Sequence, residues 1–209
     1  MTAPGLILAS RSKRRAILLA EAGYRFEQVD PPFEDPPSPD GDDPAATAVA
    51  LARAKVASTA MVRGVTQRSG PVILSADTIV VIDGRLLGQP RDRREAESML
   101  NGLQGRDHRV VTGVALLGGG QDEQTLVDVA EVRFGPLRCE ERSRYLDSGL
   151  WRGKAGAYNL AEVQDLWAVE VEGDSATVMG LPLRRLRPIL ERLSIEPKPD
   201  VGPSSSSKP

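Results

Sequence analysis

The stretch "SADTIVVIDGRLLGQP", residues 75–90, predicts a β-hairpin that carries a carboxylate in its first strand. Asp83 and Gly84 separate two apolar segments, and an Asp-Gly pair in that setting is typical of a two-residue hairpin turn. Asp77 lies within the apolar run 72–82, well inside the first strand or at a break in it. A buried carboxylate is costly unless it is paired, hydrogen-bonded or bound to a metal. Asp77 therefore either caps a bulge through backbone N–H groups or has a function.

The segments around this hairpin alternate between strand and helix patterns, which indicates an α/β fold. Predicted strands include residues 5–10, 108–118 and 125–135, and predicted helices include 12–22, 46–62, 92–103, 139–149 and 181–193. We expect Pro188 to break the last helix. We expect a single domain over residues 1–195, with an irregular acidic, proline-rich loop at 31–44 and a disordered Pro/Ser-rich tail at 196–209.

The composition limits the classes of partner and compartment. The 209 residues are 40% hydrophobic and carry 27 basic against 29 acidic side chains, so no global field would hold nucleic acid or an anionic membrane. A single cysteine and a single histidine argue against a disulfide framework and a metal cluster built from these residues. With no secretory signal pattern and no apolar run near the ~20 residues of a membrane span, we expect a cytoplasmic protein.

The helix predicted to follow the first strand begins with an unusual concentration of positive charge. Ser12 is a good N-cap, which places Lys13, Arg14 and Arg15 in the first turn and Arg11 just outside it. Cations are unfavourable at this end of the helix dipole. Either the cluster is a solvated helix start that tolerates the penalty, or an anion such as a phosphate group binds there.

Asp77 and this basic cluster together indicate one type of chemistry. A carboxylate that holds a divalent cation or activates water, opposite a cationic phosphate site, is what phosphoester or phosphoanhydride hydrolysis requires. Lys55 is either a third phosphate contact or an ordinary surface lysine. The glycine-rich segment 153–183 contains Lys154 and Glu162 and is either part of a ligand site or a pair of core turns.

Several segments resemble, in the same order, the conserved blocks of the Maf family of nucleoside triphosphate pyrophosphatases, also called the septum formation protein family. "LILASRSKRRAILL" is similar to the N-terminal signature Leu-Ala-Ser-x-Ser-Pro-Arg-Arg, and "SADTIVV" to the Ala-Asp-Thr block. Further matching blocks are "LARAKV", "GRDHRVVTGVAL", "KAGAY" and "GDSATVMGLPL". The resemblance covers residues 5–190.

The resemblance implies both a fold and a reaction. The fold would be an elongated, two-lobed Maf/ITPase-like α/β structure with a mixed, strongly twisted sheet, a cleft between the lobes and usually a homodimeric assembly. The reaction would be hydrolysis of a nucleoside triphosphate to the monophosphate and pyrophosphate with a divalent metal, Mg or Mn.

The resemblance also assigns roles to individual residues. Asp77 corresponds to the catalytic aspartate, described as a base or a metal-linked group, and Glu34 is the best match to an acidic residue that would share the metal. His108 and Thr112 would lie beside the cleft, in a structural or a catalytic role. The residues implied in substrate binding are Ser10, Arg14, Arg15, Lys55, Gln89, Lys154 and Glu162.

Two departures from the pattern concern the choice of substrate. The pyrimidine-specific branch of the family has a lysine where this chain has Gln89, and a glutamine where this chain has Ala161, with Glu162 beside it. Loss of a cationic contact weakens transition-state stabilisation in a dry site. The chain is then either an active pyrophosphatase with altered base selection, including selection of a modified nucleotide, or a catalytically weak nucleotide-binding or regulatory protein.

Overall fold

The computed structural model describes residues 5–36, 41–68 and 70–197, and these form one seven-stranded mixed sheet flanked by helices. The strands are β1 (Leu6–Ala9), β2 (Glu27–Val29), β3 (Val72–Ile82), β4 (Arg85–Leu87), β5 (Asp107–Gly118), β6 (Gln121–Phe134) and β7 (Val169–Glu172). Their order is β2-β1-β3-β5-β6-β7, with β4 paired to β3. Because β1 is parallel to β2 and β3 while the other pairs are antiparallel, the predicted mixed sheet is confirmed.

The five predicted helices lie close to their predicted positions. The described helices are α1 (Lys13–Glu21), α2 (Pro44–Arg63), α3 (Arg93–Leu103), α4 (Cys139–Ser148), α5 (Leu160–Val163), α6 (Ser175–Val178) and α7 (Leu183–Arg192), with a 3-10 turn at Ala155–Ala157. The two short helices, α5 and α6, were not predicted. The predicted break at Pro188 is wrong, since α7 continues through it. Pro188 is exposed, and the burial of Leu186, Ile189 and Leu190 holds the helix in place despite the missing N–H donor.

The hairpin that the opening stretch predicts is confirmed. Asp83 and Gly84 both have positive φ, 50° and 73°, as a type I′ turn requires. β3 pairs with β5 in unbroken register from Ile73 to Val81, so Asp77 does not cap a bulge. Asp77 is part of a regular strand.

The middle of one edge of β3 has no paired strand among the described residues, and the candidate functional residues lie at this gap. On that edge β3 pairs with β1 over residues 72–74 and with β4 over residues 80–82. Residues 75–79 lie between the end of β1 and the start of the hairpin, without a strand partner on that edge in the described part of the chain. Asp77 and Thr78 are in this gap.

Helices cover both faces of the sheet and divide one face in two. α2 packs along one face, against Ile73 and Ala115 at one end and Ile79 and Val111 at the other. The opposite face carries one core group with α1 and α7 and a second with α3 and α4. α2 is also long and apolar enough by composition to cross a membrane, but in this structure its buried stripe packs against one face of the sheet.

Candidate active site

A cavity of about 700 Å³ lies at the open edge of β3, between the start of α1 and the 3-10 turn. Most of the predicted site residues line it. They are Ser10, Arg14, Arg15, Glu34, Lys55, Asp77, Gln89 and Lys154. Glu162 is not among the lining residues, although it lies close behind Lys154. The loop that carries Glu34 has neither helix nor strand over residues 31–36 and 41–43, and α2 begins at Pro44. Residues 37–40 of the loop, like the tail from 198, lie outside the described residues.

The first turn of α1 presents positive charge and backbone donors to the cavity. Ser12 is the N-cap, and its Oγ accepts a hydrogen bond from the Arg15 N–H at 3.4 Å. Ser10 Oγ accepts one from the Ser12 N–H at 3.2 Å, which fixes the strand-to-helix turn. The first turn contains no acidic side chain to offset the dipole. The arrangement suits an anion such as a phosphate group.

The two arginines of this turn have different environments. Arg15 donates from Nε to the Gly180 carbonyl at 2.8 Å and from Nη2 to Thr78 Oγ1 at 3.0 Å. Burial lowers the pKa of Arg15, and the nearby carboxylates of Asp77 and Asp35 counteract that effect. Arg14 also lines the cavity, but it has no hydrogen bond or ion pair with any described residue. Arg14 is therefore available to a ligand, whereas Arg15 also joins three segments of the chain.

Asp77 has a buried cationic partner. The ammonium of Lys55 lies 2.6 Å from Asp77 Oδ1 and 2.7 Å from Asp35 Oδ1. The Lys55 side chain is only 6% exposed, so it is not the ordinary surface lysine that the sequence left open. Burial raises the pKa of Asp77, while the positive charges of Lys55 and Arg15 act against the rise. The charge of the strand carboxylate is thus compensated by Lys55 of α2 and by Arg15 of α1.

Sequence reasoning missed Asp35 and Thr78. Asp35 contacts Lys55, whereas Glu34 lines the cavity without an ion pair to any described residue. The two acids are adjacent in "PPFED", and no spacing rule distinguishes them in an irregular loop. Thr78 follows Asp77 directly, and its hydroxyl lies 3.0 Å from that of Thr112 as well as accepting from Arg15. Its place beside Asp77 in "SADT" was the available signal.

The opposite wall is formed by the hairpin end and the 3-10 turn. The Gly156 N–H donates to the Gly88 carbonyl at 3.0 Å, and a Cβ on Gly156 would lie 2.9 Å from Val80 Cγ2, so only glycine allows this turn to pack on β3. Lys154 Nζ is 4.0 Å from Glu162 Oε1, and Glu162 Oε2 is buried without a hydrogen-bond partner among the described residues. The Gln89 amide forms no hydrogen bond within the described structure, which leaves it available to a ligand.

His108 and Thr112 lie behind the wall rather than on it. His108 Nε2 is 2.8 Å from the hydroxyl of Tyr158, which does line the cavity. Burial lowers the pKa of His108 to about 4, so the ring is neutral near pH 7. The Thr112 hydroxyl donates to the Thr177 carbonyl at 2.8 Å. These contacts favour the structural roles among those left open by the sequence.

The acidic groups of the cavity fit a divalent metal only with help from a ligand. Asp77 and Asp35 converge on one point, and carboxylate oxygens are the protein ligands that Mg²⁺ and Mn²⁺ prefer. Asp35 Oδ1 is buried and lacks a well-directed hydrogen bond despite its short distance to Lys55. The described residues hold no cluster of three or more His, Cys, Asp or Glu side chains suited to a metal. The remaining coordination positions would be taken by phosphate oxygens and water.

Comparison with known proteins gives a consistent set of sequence relatives. The family model described as "Maf-like protein" matches residues 5–193. A protein named dTTP/UTP pyrophosphatase from Symbiobacterium thermophilum is 42% identical over 181 residues, covering 86% of this chain and 89% of the relative. One of the same name from Myxococcus xanthus is 40% identical over 190 residues, covering 91% of this chain and 93% of the relative.

Solved structures show more distant likenesses. A HAM1 protein from Coxiella burnetii has a TM-score of 0.48 and 13% identity, covering 90% of this chain and 99% of that one. A dITP/XTP pyrophosphatase from Mycobacterium abscessus has a TM-score of 0.38 and 18% identity, covering 64% of this chain and 74% of that one.

Proposed function

The chain belongs to the Maf family, and from that premise we propose that it hydrolyses a nucleoside triphosphate to the monophosphate and pyrophosphate in the cavity beside Asp77. One observation carries the proposal. A largely buried strand carboxylate, Asp77, faces the same cavity as a cationic helix start whose Arg14 has no partner among the described residues. Acid and phosphate-binding groups in one cavity are what hydrolysis of a phosphoanhydride requires.

The triphosphate binds at the start of α1. Its oxygens accept hydrogen bonds from the first-turn N–H groups and from Arg14, with Ser10 and Arg15 at the base of the cavity. Lys55 contributes a further ammonium from the α2 side. Charge-assisted hydrogen bonds of this kind are short and strong, and they orient the chain of phosphates as well as binding it.

The chemical step is attack of water at the α-phosphorus. The water oxygen forms a bond to phosphorus, and the bond from phosphorus to the oxygen that bridges the α- and β-phosphates breaks. Asp77 accepts the proton of the attacking water, because its carboxylate faces the cavity in which the triphosphate would lie. Arg14, Arg15 and Lys55 stabilise the negative charge that develops on the departing pyrophosphate.

We place Asp77 and Asp35 as the protein ligands of the divalent metal, Mg or Mn. Asp35 takes this role instead of Glu34 because it is the acid that shares a partner with Asp77. When bound, such a cation would neutralise phosphate charge and polarise a phosphoryl oxygen.

The cavity wall formed by the hairpin end and the 3-10 turn selects the base of the nucleotide. Gln89 has its amide available there, and Lys154 is held near Glu162. The relatives named dTTP/UTP pyrophosphatase make pyrimidine triphosphates the first substrates to test, and the Gln89 and Ala161 departures make modified nucleotides the second. A homodimer remains a proposal from the family resemblance, to be tested by light scattering.

A substrate panel tests the proposed function. Standard and modified nucleoside triphosphates are incubated with Mg²⁺ or Mn²⁺, and monophosphate, pyrophosphate and orthophosphate are quantified. Monophosphate and pyrophosphate in equal amounts are expected from at least one substrate, with Asp77→Asn as the inactive control. Orthophosphate release would move the attack to the terminal phosphorus and refute the mechanism. Binding without turnover across the panel would instead favour a catalytically weak nucleotide-binding protein.

A further inference from the structure

The ammonium of Lys55 occupies the point on which two acidic side chains converge. Its Nζ lies within 2.7 Å of one oxygen of Asp35 and 2.6 Å of one oxygen of Asp77. Those separations bring the two carboxylates into contact with a single positive charge, and all three groups are largely removed from solvent. Lys55 thus stands where a metal ion shared by these carboxylates would have to lie.

No other described cation can replace Lys55 at this point. Arg15 is the other cation whose charge acts on both carboxylates, but its guanidinium donates hydrogen bonds to Gly180, Thr78 and Ser10. Arg14 forms no ion pair with either carboxylate. The pairing of Asp77 and Asp35 therefore depends on Lys55 in the ligand-free protein, since two partly buried carboxylates repel each other without a cation between them.

We propose that Lys55 is a positioning residue that takes the place of the metal ion in the ligand-free protein and gives up both carboxylates when the metal arrives with the nucleotide. The proposal rests on the proposed function, because it assigns the metal to Asp77 and Asp35. Lysine suits such an exchange. Its ammonium is a compact charge on a flexible four-carbon stem, so it can move while α2 stays fixed.

After the exchange, the released ammonium of Lys55 can bind the phosphate groups of the nucleotide. Lys55 lines the same cavity as Arg14 and Ser10, where the triphosphate would lie. A phosphate oxygen can replace the carboxylates as its partner, whereas in the described structure without nucleotide Asp35 and Asp77 are the only anionic groups that contact Lys55. A metal ion that binds alone must therefore compete with Lys55 for the two carboxylates. A metal ion that binds together with the nucleotide does not, because the phosphate offers Lys55 another partner. By linkage, the nucleotide strengthens metal binding by the same factor by which metal strengthens nucleotide binding.

Binding of Mn²⁺ alone to the full chain tests this competition. Free Mn²⁺ is measured by electron paramagnetic resonance in titrations of the wild type, Lys55→Met and Lys13→Met, all without nucleotide. Lys13→Met is the matched control, because Lys13 lines the same cavity but contacts neither carboxylate. Lys55→Met should bind Mn²⁺ more tightly than the wild type by at least about fivefold, the low end of typical coupling between sites. Lys13→Met should bind as the wild type does.

Mn²⁺ affinity of Lys55→Met equal to or weaker than that of the wild type would overturn the proposal. A gain of the same size in Lys13→Met would also overturn it, since removal of any positive charge from the cavity would then suffice. If Lys55→Met does not fold, as judged by thermal unfolding, Lys55→Gln is used, which keeps a hydrogen-bond donor beside Asp77. The titrations need no turnover, so failure of the proposed hydrolysis would appear in the substrate panel and not here.

Discussion

Gly113 lies directly opposite Asp77 in the ladder between β3 and β5, at a point where the α2 backbone lies close against the sheet. A Cβ on Gly113 would lie 2.5 Å from the backbone of Ala48 and Val49 in α2. Lys55 follows Ala48 by about two helical turns and therefore points from the same side of α2. The missing side chain of Gly113 thus sets how close Lys55 comes to Asp77.

Gly113→Ala should destabilise the protein and separate these two charged groups. The added methyl meets backbone atoms that cannot rotate away, so we expect a loss of about 1–3 kcal/mol in the free energy of unfolding. Activity should fall more than the loss of folded protein explains. Urea unfolding and activity per folded molecule measure both effects. Gly102→Ala in α3, where a Cβ meets nothing within 4 Å, is the control and should not destabilise.

Asp77→Asn should abolish pyrophosphate release and leave nucleotide binding in the absence of metal largely intact. The amide is nearly the same size as the carboxylate but cannot accept the proton of the attacking water. Release of pyrophosphate and direct nucleotide binding by calorimetry separate the two effects. Asp107→Asn, which removes an exposed carboxylate paired with Arg133, should behave as the wild type. Turnover of Asp77→Asn within a few-fold of the wild type would remove Asp77 from the catalytic role.

Arg14→Ala and Arg15→Ala should differ in their effect on stability. Arg14 has no partner among the described residues, so its removal should weaken nucleotide binding and change the free energy of unfolding by less than about 0.5 kcal/mol. Removal of Arg15 leaves the Gly180 carbonyl and the Thr78 hydroxyl without this donor and should cost about 1–3 kcal/mol. Thermal unfolding and nucleotide titration measure the two quantities. Equal stabilities of the two variants would contradict the structural role of Arg15.

Local patterns in the sequence were sufficient for much of the fold. The Asp83-Gly84 turn, the N-cap at Ser12 and the strand position of Asp77 depend on neighbours within a few residues, and all three are confirmed. Strand β7 has the alternating sequence Val-Glu-Val-Glu and could have been found by the same reasoning. The continuity of α7 through Pro188 could not, because packing of its buried face outweighs the local preference.

The contacts that complete the site depend on tertiary structure. Arg15 bonds to Gly180, a residue 165 positions away, and no spacing rule predicts that partner. The choice between Glu34 and Asp35 depends on the path of an irregular loop toward α2. The residue pattern singled out Asp77 and hydrolysis of a phosphate bond, the family resemblance narrowed this to a nucleoside triphosphate, and the ion pairs of Lys55 required coordinates.

Gln89→Lys should increase kcat/KM for UTP and dTTP several-fold. The substitution restores the cation that the pyrimidine-specific pattern has at this position, and the side chain lies on the cavity wall, next to Gly153. A positive charge there can stabilise a phosphate oxygen or a carbonyl of the base. Steady-state kinetics with UTP, dTTP and ATP measure the change, and Gln104→Lys outside the cavity is the control for added charge. A decrease for both pyrimidine substrates would show that Gln89 itself makes a productive contact.

His108 should give the stability of the protein a distinct dependence on pH. Burial lowers the pKa of His108 to about 4 in the folded chain, against an ordinary value near 6.5. Between these values the unfolded chain binds a proton that the folded chain does not, so the free energy of unfolding falls as the pH falls. The total loss should be on the order of 3 kcal/mol from pH 7 down to pH 4.

His108→Gln isolates this contribution, because glutamine does not titrate and can still form a hydrogen bond with the Tyr158 hydroxyl. His108 is the chain's single histidine, so no other side chain has an ordinary pKa near 6.5. Urea unfolding of both proteins at several pH values between about 5 and 7 gives the difference in slope. The variant should lose less stability than the wild type over this range. If the free energy of unfolding changed equally with pH in both proteins, His108 would be protonated in the folded state as easily as in the unfolded state. Its contact with Tyr158 would then not keep the ring neutral.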